Sequence, residues 1–180
     1  MNYLEQLVSE WYMYQDYFVR HNVRVGRLQL GGYEGELDVV AFHPGKRELV
    51  HIETSMDADS WRKRSERLER KFDVGQRHIP ALFSEIATEL PPIRKRAVFG
   101  LDRRIRTRSI EGIELLGMSE LLEEIVLGLR SKSWWSHSVS ENFPLIRTIQ
   151  IAVEYKDLLA SQPEQSAIKH PKDSQSGKSF

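Results

Sequence analysis

Two acids at the ends of apolar runs could do metal chemistry. Asp38 opens the run Val39-Val40-Ala41-Phe42, and Glu53 closes the run Leu49-Val50-His51-Ile52. Between them lies the turn signal His43-Pro44-Gly45-Lys46, so the two runs form a hairpin candidate. Pairing residues 36–42 with 48–54 sets the start of one strand beside the end of the next and brings the two carboxylates close together. Held so close, they repel by several kcal/mol at a low effective dielectric unless something positive sits between them. A hard divalent cation with oxygen ligands, Mg²⁺ or Mn²⁺, meets that need and can activate water against a phosphodiester. The plainer reading of the same spacing is a pair of solvated strand-end acids matched by arginines.

The elements that must hold these acids follow from hydrophobic period. Leu4, Leu7, Val8, Trp11, Tyr14 or Gln15, and Phe18 recur at helical spacing and predict an amphipathic helix over 3–20. Val23, Val25, Leu28 and Leu30 then read as a short strand closed by Gly31-Gly32. After the hairpin, Ser60 suits the cap of a helix over 61–86, with Leu68, Phe72, Ile79, Leu82 and Phe83 inward and Gly75 where close packing is needed. Pro91-Pro92 ends it. Residues 97–101 read as a buried strand and 113–116 as a shorter one. Two helices follow, over 119–129 and from Pro144 to about Leu159. Pattern alone therefore gives an α/β layer fold with a mixed sheet.

With 180 residues, 40% of them hydrophobic, the chain fits one domain over 1–160. Residues 161–180 hold only Ala167, Ile168 and Phe180 as apolar residues, a composition expected to stay disordered. The chain has no cysteine, which excludes disulfides, thiolate zinc sites and cysteine nucleophiles. The six histidines show no zinc-binding spacing. His51 shares a strand face with Glu53 and reads as a satisfied sheet histidine. Glu36, which alternates with Asp38, could be a further ligand or a salt-bridge partner. The first residues carry acids where a secretory signal needs basic ones, and no apolar run is long enough for a membrane span, so a cytoplasmic protein with no membrane partner is expected.

The strings Gly35-Glu36-Leu37-Asp38-Val39-Val40-Ala41 and Leu49-Val50-His51-Ile52-Glu53-Thr54-Ser55 resemble the core of the PD-(D/E)XK nuclease superfamily. They are most similar to its small Holliday-junction-resolvase-like group, with a G-E-(I/L)-D strand followed by a V-E-V-K strand. The resemblance covers residues 5–80, and residues 140–152 resemble a segment of uncharacterised bacterial proteins with the same core. It implies a restriction-endonuclease-like core, with a central mixed sheet of four to five strands flanked by helices in the order αβββαβ, then a strand and two helices. It further implies a metal-dependent endonuclease, a nucleic-acid partner (DNA ahead of RNA) and a homodimer. By the same resemblance Asp38, Glu53 and the Thr54 carbonyl would ligate Mg²⁺ or Mn²⁺. Glu10, on the first helix, would assist as a second-metal or water-orienting acid, although an ordinary surface acid fits its position too. Gln76, followed by Arg77, matches the group's polar position after the motif.

The chain departs from the motif at one place. Ser55 stands where the family has its lysine, and a hydroxyl cannot replace that charge. Either the cation has moved to the following helix, with Lys71 or Lys63 as candidates, or the domain is a degenerate nuclease that binds without cutting. Net charge is zero, but residues 62–71 hold six basic and two acidic groups, residues 94–96 are Arg-Lys-Arg, and Arg103, Arg104, Arg106 and Arg108 follow. Arg62, Lys63, Arg64, Arg67, Arg103, Arg104 and Arg106 are therefore candidates for nucleic-acid contact, against the plainer reading of a solvated helix face with Glu66–Arg70 pairing. Trp134-Trp135 could stack bases or cover an interface.

Overall fold

A computed structural model describes residues 2–57, 59–86, 89–101, 109–130, 132–133 and 135–160. Arg103, Arg104, Arg106, Arg108, Trp134 and the segment 161–180 lie outside the described residues.

Helix α1 (Tyr3–Tyr14) starts at Asn2, whose side chain accepts from the Glu5 amide while the Glu5 carboxylate accepts from the Asn2 amide. It ends earlier than helical spacing predicts. Asp16 adopts a left-handed φ of 67°. The amides of Asp16 and Tyr17 turn back to the carbonyls of Met13 and Tyr12, at 3.0 and 3.1 Å, which closes the helix in a Schellman motif. Strand β1 (Phe18–Arg27) begins at once, so Phe18 belongs to the sheet. The chain reverses through Leu28–Gly32, with Gly31 and Gly32 at positive φ, into β2 (Tyr33–His43).

A turn around Pro44–Arg47 leads from β2 to β3 (Glu48–Ser55), and the expected hairpin is present. Helix α2 (Trp61–Leu82) follows and stops short of the expected 86. Pro80 lies in its last turn, and the Phe83 amide turns back to the Pro80 carbonyl at 3.4 Å as the helix ends. Next come β4 (Ile93–Phe99), the two-residue β5 (Ser109–Ile110), β6 (Ile113–Gly117), α3 (Met118–Leu129), α4 (Pro144–Glu154) and α5 (Lys156–Ala160). The expected single helix over 144–159 is thus broken at Tyr155, and β5 adds a strand that residue pattern did not suggest.

The fold is α/β: among the described residues, six strands in the order β1-β2-β3-β4-β6-β5 form one mixed sheet flanked by helices. Pairs β3–β4 and β4–β6 are parallel and the others antiparallel. On one face, Leu4, Leu7, Val8 and Trp11 of α1 pack with Ile125 of α3 and Ile146 of α4 over Val39, Ala41, Val50 and Ile52. Among the described residues, α2 is the helix on the other face. Its Val74 and Ile79 cover Val40, Phe42 and Leu49, and its Leu68 and Phe72 cover Ala97, Phe99 and Leu115. Among the described residues, no helix is long and apolar enough to cross a membrane.

Gly75 lets α2 sit this close. A Cβ there would stand 2.3 Å from the His51 ring. In an exposed helix Gly→Ala stabilises by about 1 kcal/mol. Here overpacking outweighs that gain, so Gly75→Ala should lower stability by roughly 1–3 kcal/mol in urea unfolding.

Candidate functional site

The β2–β3 register places the acids. Its last pair is Val39 with Ile52, and one step further sets Asp38 across from Glu53. Opposed residues of an antiparallel pair share a face. Alternation along β3 puts Leu49, His51, Glu53 and Ser55 on the face covered by α2. Glu53 is 1% exposed and Asp38 8%. Two unit charges about 5 Å apart repel by roughly 3 kcal/mol at an effective dielectric of about 20, so this pair needs a cation.

Lys71 provides one. It stands three residues after Leu68 on the helix facing the sheet. Its Nζ donates to Asp38 Oδ1 at 2.7 Å and also to Glu53 Oε2. The two carboxylates thus converge on one cation, here the Lys71 ammonium and not the divalent ion that their spacing suggested. The remaining oxygens are also held. Asp38 Oδ2 accepts from the Thr54 amide at 2.8 Å and its hydroxyl at 3.1 Å, and Glu53 Oε1 meets His51 Nε2 at 2.7 Å. Thr54 therefore belongs to the site through its amide and hydroxyl.

Opposing pressures act on this cluster. At Glu53 burial pushes the carboxyl pKa up and the Asp38 charge adds to that, against the hydrogen bond with His51 and the Lys71 charge. At Lys71 burial pulls the pKa down, but the two facing carboxylates outweigh it and hold the ammonium above the ordinary value of 10.5. We take the ammonium as charged, since both its acceptors are carboxylates. Two negative charges against one positive leave the cluster with net negative charge. A recess of about 280 Å³ opens beside it, lined by Glu34, Gly35, Glu36, Asp38, Arg70, Lys71 and Val74. Among the described residues, no group of three or more His, Asp or Glu side chains is arranged to hold a metal ion.

Other candidates are placed elsewhere. Glu10 is buried and caps α4: its Oε2 accepts the amides of Leu145 at 2.7 Å and Ile146 at 3.2 Å, while Oε1 takes Gln6. The expectation that Glu10 assists at the acid pair is corrected, since its carboxylate is used at the α4 N-terminus. Gln76 lines a larger recess of about 570 Å³, with Leu49, Pro80, Pro91 and Pro92, that shares no residue with the acid pair. Glu36 pairs with Arg24 at 3.3 Å near the strand edge.

The basic residues divide in the same way. Arg62 and Lys63 are exposed at the start of α2, so of the two candidate lysines it is Lys71 that meets the acids. Arg64 is buried over the Phe99 ring and bonds the Asp57 carbonyl at 2.8 Å, which corrects its reading as a solvent-facing contact. Arg67 is engaged by Asp57 and by Asp59 at 3.2 Å, with Nη2 3.4 Å from Ser55 Oγ. The Arg94–Arg96 run is not an open patch either. Arg94 pairs with Glu48 at 2.8 Å and Glu114 at 2.7 Å, and buried Arg96 meets the Tyr12 hydroxyl and Glu124, each at 2.7 Å, on the α1/α3 face.

Residue pattern also missed that His51 contacts Glu53. The signal was their two-residue spacing on one strand. The ring is incompletely satisfied, since Nδ1 is buried with no partner.

No protein-family model matches the chain, and no curated protein matches it. A solved structure titled "Crystal Structure of Protein of Unknown Function AF1548" is similar at 15% identity and a TM-score of 0.40, over 85% of this chain and 96% of that one. Similarity at that level carries no argument about fold family or function.

Two predictions follow from the placements. Glu10→Ala leaves two helix-start amides buried without an acceptor, so it should cost on the order of 2 kcal/mol in urea unfolding while leaving the alkaline titration of Lys71 unchanged. Lys71 itself has a folded pKa raised above its unfolded value. Its contribution is full below pH 10.5 and is lost as pH rises through the higher folded value. Unfolding measured from about pH 9 to 12 should therefore show an alkaline loss of stability in wild type that is smaller in Lys71→Met.

Proposed function

We propose that this chain is a nucleic-acid phosphodiesterase of the PD-(D/E)XK type, using Mg²⁺ or Mn²⁺, with a restriction-endonuclease-like core built from α1, β1–β3, α2 and β4. The observation that carries the reading is the convergence of Asp38 Oδ1 and Glu53 Oε2 on a single cation position beside an open recess. The donor set fits the ion: Mg²⁺ is commonly held by one or two carboxylates, with waters and substrate phosphate completing its shell. When bound, such an ion supplies Lewis acidity at the phosphodiester and a more acidic water.

Asp38 and Glu53 hold the ion, and the cluster's uncompensated negative charge favours its uptake. The Thr54 amide and hydroxyl fix Asp38 in place. Lys71 supplies the positive charge that Ser55 lacks, and it shifts from bridging the carboxylates to facing the phosphate. Arg62, Lys63 and Arg70 offer exposed positive charge along α2 for a polyanion backbone, DNA ahead of RNA. A homodimer is part of this reading by resemblance alone.

One observation favours a second reading. The Lys71 ammonium already bridges both carboxylates, which would suit a nuclease-fold domain that binds nucleic acid or a protein partner without cutting.

The two readings part on Lys71. Calorimetric titration should show Mn²⁺ uptake that Asp38→Ala or Glu53→Ala abolishes. Lys71→Met removes the competing ammonium, so it should bind Mn²⁺ more tightly, yet lose cleavage of DNA and RNA oligonucleotides by about 10²–10³. Tight uptake with no cleavage by wild type would favour the binding module. No uptake by any variant would end both the metal and the enzyme reading.

A further inference from the structure

We infer that His51 is a positioning residue: its imidazole holds the Glu53 carboxylate in the orientation that presents Oε2 to the centre of the Asp38–Lys71–Glu53 cluster. This deepens the proposed function and rests on its reading of Glu53.

The two carboxylate oxygens of Glu53 divide their partners. Oε1 meets His51 Nε2 at 2.7 Å and Oε2 meets Lys71. Both side chains are buried, His51 fully. A glutamate reaches its carboxylate through three rotatable bonds, so an oxygen anchored on the strand side restrains where the other can point. The bond to a carboxylate calls for Nε2–H, the tautomer that leaves Nδ1 as a bare acceptor. Nδ1 has no hydrogen-bond partner.

The ring is clamped as well as bonded. Phe72 meets it edge-on, with centroids 4.8 Å apart and planes at 73°. Gly75 closes over it so tightly that a Cβ would stand 2.3 Å from both Cε1 and Nδ1. These features have costs that a merely packed residue would avoid. A leucine at 51 would leave no orphaned nitrogen, and a smaller side chain would not require a glycine inside a helix. The bond to Glu53 is what the imidazole supplies and a leucine cannot. Second partners of this kind often change metal affinity without touching the ion.

The test compares His51→Leu, which cannot donate, with His51→Gln, whose amide can. Crystal structures of both variants should show Glu53 Oε2 still on Lys71 in the glutamine protein and swung away in the leucine protein. Mn²⁺ titration should show a loss of ~10- to 100-fold for leucine and little change for glutamine, with both proteins still unfolding cooperatively. Should His51→Leu not fold, His51→Asn, shorter by one bond, takes its place. An undisturbed Glu53 in the leucine protein, or one equally displaced in both variants, overturns the inference. If neither wild type nor any variant takes up Mn²⁺, the metal and enzyme readings fall, and the crystal structures still decide the role of His51.

Discussion

Burying Glu53 beside Asp38 is the constraint around which this half of the molecule is arranged. Two acids withdrawn from water on one sheet face are tolerable only with a cation between them. The cation must come from an element lying flat against that face, which fixes where α2 runs and which of its turns meets the strands. Close approach of α2 in turn requires a residue without a side chain at Gly75, because the His51 ring fills the gap. Leu68, Phe72 and Ile79 then seal the helix on both sides of the cluster. The charges do not stand apart from the hydrophobic core. They set the depth at which it closes.

The two sheet faces handle polarity differently. Under α2 the buried acids Asp38 and Glu53 meet at one point with a single ammonium between them, next to an open recess. Under α1 and α3, Arg96 is matched by Glu124 and the Tyr12 hydroxyl, and Glu10 spends its charge on the start of α4. Unbalanced charge beside an opening suits ligand binding, whereas balanced charge in a closed layer suits support. That contrast is why the proposed chemistry belongs to the Asp38–Glu53 face.

Much of this face was legible in the sequence because its signals are local. Pro44-Gly45 between two apolar runs announces the hairpin, and the hairpin alone opposes Asp38 and Glu53. Lys71 was one of two candidate lysines on a helix of clear period, and the sequence did not choose between them. Other features depend on partners far along the chain. Glu10 caps a helix that starts at Pro144, and nothing near residue 10 advertises it. Arg96 counts toward a basic run, yet a count cannot tell that a strand turns it inward. The end of α1 was hidden because Asp16 takes the left-handed conformation without being glycine, and Phe18 fits the helical and the strand period equally well.

Arg96 also bears on how the sheet chooses its alignment. Strand β4 pairs in parallel with β3, and the two are separated in sequence by the whole of α2, so no tight turn dictates which residues meet. A slide of β4 by one position would exchange its faces. The guanidinium would then be driven among Phe72 and Leu68, while Glu124 lost its counter-charge and the Tyr12 hydroxyl its donor in the opposite layer. Stranding a buried ion in this way costs several kcal/mol, a large part of the stability of a small domain. The arginine therefore acts as an alignment key for the longest-range pairing beside the acid cluster. It excludes mis-threaded sheets that hydrophobic patterning alone would tolerate.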